Sequence, residues 1–478
     1  MLVLCICSVI DGLDNGLGLV PPLAWSSWNY FNGAVNESLI QEIGDAMVST
    51  GLASIGFRQI NIDSGYLLRE RDAHGQMVPN ASKFPSGMRA LADYLASRPI
   101  SLGLGLYTDI TDHTCGPDKG GPGAWGHYKQ DAATFAAWNI SYLKVDMCSV
   151  DIGIDPESQL KHWGEFRDAL NSTGHPIYYS ICPHSVVPHP DGPGAWWWVK
   201  GDNGTRPNTY APPTTWTAPQ RRGLANSLLV EFTNLFDFWY SPHWLAPHNC
   251  PGHQCNTSSP GGFLTNVDAM AEMTKPEYSG PGSWADADML HVCNYGEGGI
   301  HAGGSLGKGM TLTEYSASLS IWAVLASPII ISADVRTLSE RHPECLNMLL
   351  GATEVLDISQ DPLGSPGRLV HQATNGSAES VPTTTNIVEQ IWARKLKGGR
   401  LAVVFFNRDE NTRTLTFKWD MWDNNDGHIG LRGWRRARDA WARQDLDGGN
   451  GACYNVNVTV NVTKHQARVI VLSPDSCL

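Results

Sequence analysis

The stretch from Ile140 to Cys148, ISYLKVDMC, sets a carboxylate where a strand runs out. Ile140, Tyr142 and Leu143 favour extended backbone, and too few residues precede Asp146 for a helix. Lys144 stands two residues before Asp146, and side chains two apart on a strand share a face. An ammonium so close keeps a carboxylate ionised, as a nucleophile requires. At the C-terminal end of a barrel strand, such a pair faces the mouth where active sites are built. The plain alternative is a surface aspartate after an edge strand, and the rest of the chain must choose between them.

The elements that would position this pair repeat along the chain. Short apolar stretches ending in polar or aromatic residues occur at Leu23–Trp28, Phe57–Asp63, Ser101–Asp109, Ile140–Asp146, Pro176–Cys182, Ser227–Phe232, Ser283–Leu290 and Pro328–Val335. Between them, apolar residues three and four apart predict helices over Ser38–Thr50, Met88–Ser97, Asp131–Trp138, Gln159–Asn171, Leu264–Met273 and Leu312–Ala326. A strand and helix alternation carried to eight strands predicts a (β/α)8 TIM barrel over residues 13–365. After about Leu363 the texture changes. Thr374–Thr385 is rich in Ser and Thr, and QIWARKL, RLAVVFFN, RTLTFKW, YNVNVTVNV and ARVIVLS alternate as strands, with turns at Lys397–Gly399 and Asn424–Gly427. An antiparallel β-sandwich over 366–478 is the natural fold, and it carries no catalytic constellation.

Composition narrows the partners. Asp plus Glu at 47 against Lys plus Arg at 34 gives a formal charge of −13, which repels a nucleic-acid backbone. With 18 Trp and 49 Gly, the 478 residues suit aromatic-lined pockets and long loops rather than disorder. The run MLVLCICSVI is too short to span a bilayer and reads as the apolar part of a secretory signal over residues 1–12, or else as a buried first strand. Nine Asn-X-Ser/Thr sequons favour a secreted or lumenal compartment. No other apolar run is long enough for a membrane helix. Of 11 Cys, nine would remain after loss of Cys5 and Cys7. Cys250 and Cys255, interleaved with His248 and His253, match no standard zinc spacing and suit a local disulfide better.

Ordered motifs over nearly the whole chain resemble glycoside hydrolase family 27, which holds α-galactosidases and α-N-acetylgalactosaminidases. They are LDNGLGLVPPLAWSSW, INIDSGY, MVPNASKFPSGMRALADYL, LGLYTD, YLKVDMC, GPGSWADADML, LASPIIISADVR, SQDPLG, WARKLKGGRLAVVFFNR and RDAWARQDL. The resemblance implies a retaining glycosidase acting on α-galactoside-type carbohydrate, with Asp146 as the nucleophile that forms a covalent glycosyl-enzyme. It places Trp28, Asp63, Tyr107, Lys144 and Asp288 around the sugar, where carboxylates and lysine bind hydroxyls and Trp28 covers a C–H face. It pairs Cys115 with Cys148 in a disulfide. It implies neither metal nor organic cofactor, since the reaction needs only carboxylates and shaped hydrogen bonds.

The departures fall on the second carboxyl group, which must protonate the leaving oxygen and then activate water. Aligning Ala225–Trp239 on the family's acid/base segment puts Val230 at its arginine and Asn234 at its aspartate. An amide cannot serve as that acid. Glu231, three residues before Asn234, and Asp237, three after, are the nearest candidate replacements, and Glu231 within SLLVEF equally fits a barrel-interior carboxylate. The family's paired aspartates after the second strand become Asp63 and Ser64, and its Cys-Glu-Trp after the fifth becomes Cys182, Pro183 and His184. By the resemblance, loss of that glutamate and of the arginine removes contacts expected at the sugar's ring face and 2-position, which points to an altered sugar specificity as an alternative. Two family cysteines are absent together, at Gly33 and Gly65. The segment His184–Gly223, with Trp196, Trp197 and Trp198, reads as a long loop expected on the pocket side: a stacking platform, or a loop that buries itself.

Overall fold

A computed structural model describes residues 14–114, 120–147, 156–182, 223–229, 263–273, 278–298, 309–375, 387–418, 420–423, 436–446 and 457–474. Eight short strands open the chain: β1 (Leu23–Ser26), β2 (Gln59–Asn61), β3 (Gly103–Asp109), β4 (Tyr142–Asp146), β5 (Tyr178–Ile181), β6 (Ser227–Leu229), β7 (Trp284–Asp286) and β8 (Ile329–Ile331). All neighbours in the order β7-β6-β5-β4-β3-β2-β1-β8 pair in parallel. The two ends of that order meet where Leu290 bridges Ile331 in parallel and its N–H donates to the Ile330 carbonyl at 2.8 Å, which closes the barrel. Every strand predicted for the barrel is present. Helices follow at Glu37–Ser49 (α1), Gly87–Ala96 (α2), Tyr128–Ala137 (α3), Pro156–Ser172 (α4), Phe263–Met273 (α5) and Leu312–Leu325 (α6).

Alternation along the strands divides the side chains between two cores. Trp25, Ile60, Leu104, Leu106, Leu143, Val145, Tyr179 and Ile181 point outward into one large cluster with the helices. Ala24, Tyr142, Tyr178, Met289 and Ile330 fill the barrel interior. The interior is crowded enough to require glycine at one point. A Cβ on Gly105 would lie 2.0 Å from Asn61 Oδ1 and 2.9 Å from Tyr142 Cβ.

Helix α6 joins the barrel to the second sheet system. Thr311 and Glu314 form a capping box at its start, and nearly all its residues are buried. A helix apolar all round must be covered on all sides, and this one lies between barrel and sheet. That sheet is antiparallel and six-stranded, in the order β14-β13-β16-β11-β10-β9, with a separate pair β12-β15 against it. The strands are β9 (Arg368–Thr374), β10 (Ile387–Leu396), β11 (Arg400–Asn407), β12 (Arg413–Phe417), β13 (Arg436–Asp439), β14 (Gln444–Asp445), β15 (Val458–Val462) and β16 (Ala467–Ser473). Ile391, Val403, Phe405 and Ile470 face β12 and β15, forming the sandwich core with Leu415, Phe417, Val460 and Val462. Trp392, Val404, Phe406 and Val469 face the other way, into the barrel's cluster. A sheet buried on both faces reads as continuous apolar sequence, as RLAVVFFN does. Strands β9, β13 and β14 add to those predicted from sequence. The turn at Lys397–Gly399 is a 3-10 turn with Gly398 at φ 77°.

Candidate active site

Strand β4 delivers Tyr142, Lys144 and Asp146 to one face, and its register with β3 sets Lys144 beside Tyr107 and Asp146 beside Asp109. At the strand's end the Ile110 N–H holds the Asp146 carbonyl at 2.9 Å. The Met147 N–H donates to Asp146 Oδ1 at 3.0 Å. That leaves Oδ2 facing Lys144 Nζ, 3.9 Å away. The same ammonium donates to Asp63 Oδ2 at 3.1 Å and lies 5.3 Å from the centroid of the Tyr107 ring. Burial works against the lysine's charge, yet the Asp63, Asp146 and Asp288 carboxylates together hold its pKa well above the ordinary range. Lys144 therefore stays an ammonium.

Each neighbour is fixed by local backbone. Asp63 follows β2; its N–H donates to Ser27 Oγ at 3.0 Å and its Oδ1 accepts from Ser64 N–H at 2.7 Å. Asp288 follows β7 in the left-handed region at φ 73°. Its Oδ1 accepts from Met289 N–H at 2.7 Å, and its carbonyl accepts from Trp322 Nε1 at 2.9 Å. Burial raises its pKa above the usual carboxylate range, opposed by Lys144. Trp28 starts a short helix after β1 and packs, half-buried, against the cluster in the barrel interior.

Asp63, Tyr107, Lys144 and Asp288 line one pocket at the C-terminal mouth of the barrel, together with Ser26, Asn61, Leu106, Tyr142, Asp286, Met289 and Ile330. Asp146 adjoins this pocket through Lys144. The structure thus brings together the sequence-predicted residues of strands β2, β3, β4 and β7. Glu231, Asn234 and Asp237 lie outside the described residues, as do Cys115, Cys148, the leader over residues 1–12 and most of the Trp-rich loop. Sequence reasoning missed Asp286, whose spacing of two from Asp288 was the available signal. It also left the pairing of Cys293 and Cys345 open; they form a disulfide. The joint absence of cysteines at Gly33 and Gly65 has a structural counterpart, since a Cβ on Gly65 would lie 2.8 Å from Gly33 Cα. Lys83 Nζ donates to both carbonyls, at 2.9 Å to Gly33 and 3.0 Å to Gly65, and ties the two loops together.

Such a pocket, with carboxylates around one ammonium and aromatic faces beside them, fits a polyhydroxylated ligand. Comparison with known proteins agrees. A family model described as alpha galactosidase A matches residues 21–191 and 264–361, and one for the alpha galactosidase C-terminal beta sandwich domain matches 389–472. An alpha-galactosidase from Cyamopsis tetragonoloba is 33% identical over 97% of this chain and 88% of its own length. One from Coffea arabica is 34% identical over 97% of this chain and 96% of its own. The crystal structure of alpha-galactosidase I from Mortierella vinacea shares the fold, with a TM-score of 0.73 at 24% identity over 96% of this chain and 98% of that one. The chain belongs to the α-galactosidase family of O-glycosyl hydrolases, glycoside hydrolase family 27.

Proposed function

We propose that this protein hydrolyses terminal α-linked galactose from oligosaccharides or glycoconjugates, with Asp146 as nucleophile and net retention of configuration. The observation that carries this reading is the Asp146 carboxylate at the end of β4. One of its oxygens is held by the Met147 N–H, and the other is turned toward the Lys144 ammonium. Oδ2 forms the bond to the anomeric carbon as the bond from that carbon to the leaving oxygen breaks, and a general acid supplies the leaving oxygen's proton. Water then attacks the same carbon, returns a proton to that group and frees Asp146. Lys144 and Asp63 bind sugar hydroxyls, Asp288 flanks them, and Trp28 and Tyr107 supply the apolar faces. The nine sequons accord with a secreted or lumenal enzyme.

A second reading has its own support. The family match omits residues 192–263, and Val230, Glu231, Asn234 and Asp237 all lie in that gap. If no acid stands there, the pocket binds glycans without turning over ordinary substrates. Two aryl α-galactosides, one with a good and one with a poor leaving group, separate these readings. Hydrolysis of both, lost by about 10⁴-fold or more in Asp146→Asn, supports the glycosidase with a working acid; Glu231→Gln and Asp237→Asn then identify it. Hydrolysis of the activated substrate alone means Asp146 attacks without an acid. An undiminished rate in Asp146→Asn would sink the assignment.

A further inference from the structure

We propose that Asp286 is a neutral carboxylic acid forming the floor of the pocket, and that its Oδ2–H is the hydrogen-bond donor for the deepest hydroxyl of the bound sugar. The claim rests on the galactoside reading of the pocket for its ligand, and on geometry for the rest. Asp286 is 1% exposed and lines the pocket beside Asp288, Lys144 and Tyr142. Its two oxygens are in different situations. Oδ1 accepts the Asp288 N–H at 2.9 Å, as the carbonyl oxygen of a neutral acid does. Oδ2 is buried and has no hydrogen-bond partner among the described residues. The Ser227 hydroxyl of β6 lies close enough to Asp286 to favour its charged form, but the contact lacks the geometry of a full hydrogen bond. An unpartnered polar atom on a residue that lines a pocket marks a place for a polar group of the ligand.

Charge supports the proton. Asp63, Asp146, Asp286 and Asp288 surround one ammonium, which is already bonded to Asp63 and beside Asp146. Carboxylates crowded in a water-poor site do not all ionise, and the one least served by the cation keeps its proton. The groups facing Asp286 are Asp288 in the same turn, Lys144 and Tyr142 from β4, Tyr178 from β5 and Ser227 from β6. Burial first, and then repulsion from Asp288, push Asp286 up to about 8. Ionisation would remove the donor and place a further negative charge under the sugar, so affinity must fall as pH rises through that value.

The test is galactose binding by the full-length protein, measured by calorimetry across pH, in wild type, Asp286→Asn and Asp286→Ala. Wild type should lose about tenfold in affinity, with one proton, as pH rises through about 8. Asp286→Asn, which cannot ionise, should lack that step, and Asp286→Ala should bind about fivefold or more weakly at every pH. A wild type with no step, a step that persists in Asp286→Asn, or an Asp286→Ala that binds like wild type would overturn the proposal. The proton is also read without ligand. The infrared band of a neutral carboxyl group should be present in wild type at neutral pH and absent from Asp286→Asn. Absence of that band overturns the claim even if the pocket takes another sugar. Its presence in a protein that binds no galactose would instead refute the galactoside reading and, with it, the donor's assigned ligand.

Discussion

Lys144 is the residue on which the site's charges converge. It bonds Asp63 at 3.1 Å, lies 3.9 Å from Asp146 and keeps its charge despite being only 18% exposed. Replacing it with Met keeps most of the apolar stem but strands Asp63, itself 4% exposed, without its cation. Lys144→Met should therefore lower kcat/KM on an aryl α-galactoside by about 10²-fold or more, and a loss of less than about threefold would contradict this role. This pair was legible in the sequence because two positions on a strand share a face, and Lys144 and Asp146 are two apart. Asp288 was legible through resemblance. Asp286 obeys the same spacing yet escaped notice, because a buried carboxyl on a strand has no sequence mark that separates it from a surface one. The same ambiguity hides Lys83, whose role depends on where two distant loops meet.

The Lys83 ammonium ties those loops together. Gly33 follows the short helix after β1, and Gly65 follows Asp63; Lys83 donates to both carbonyls from the segment leading into α2. The glycines approach too closely for a side chain at Gly65, whose φ of 101° also favours glycine. Lys83→Met should lower stability by about 1–3 kcal/mol in urea unfolding and raise KM more than it lowers kcat, because the loops it ties carry Trp28 and Asp63. Unchanged stability would mean that the backbone approach holds without it. At this scale the barrel was readable from sequence, since each strand is a short buried run bounded by turns and the helices keep a three-and-four spacing. Strand β9 was not. All seven residues of RLVHQAT are half-buried at the edge of the sheet, so no alternation marks them. Strand β13, RARD, has one apolar residue in four, so it shows no apolar alternation either.

Across the whole molecule, the two sheet systems share one apolar interior around α6. Arg394 is fully buried there and donates to the carbonyls of Ala323 at 2.7 Å, Ser359 at 3.3 Å and Ser365 at 2.7 Å. Trp441 Nε1 donates to Ser320 Oγ at 2.8 Å, and Arg408 pairs with Asp268 at 2.5 Å. Such an interface predicts that the proposed barrel (13–365) and sandwich (366–478) unfold in a single transition. Arg394→Met should lower stability by about 3 kcal/mol or more by leaving buried carbonyls unpaired. Two resolved calorimetric transitions in the wild type would contradict this. The same rigidity bears on chemistry, because the helix that packs on the sandwich also carries Trp322, whose indole fixes the turn at Asp288. The central claim, attack by Asp146, is tested most directly by quenching the enzyme during turnover of an activated 2-fluoro α-galactoside and mapping the protein by mass spectrometry. A glycosyl unit on the peptide carrying Asp146, absent in Asp146→Asn, is the predicted result; turnover with that peptide unmodified, or a label on another carboxylate, would contradict it.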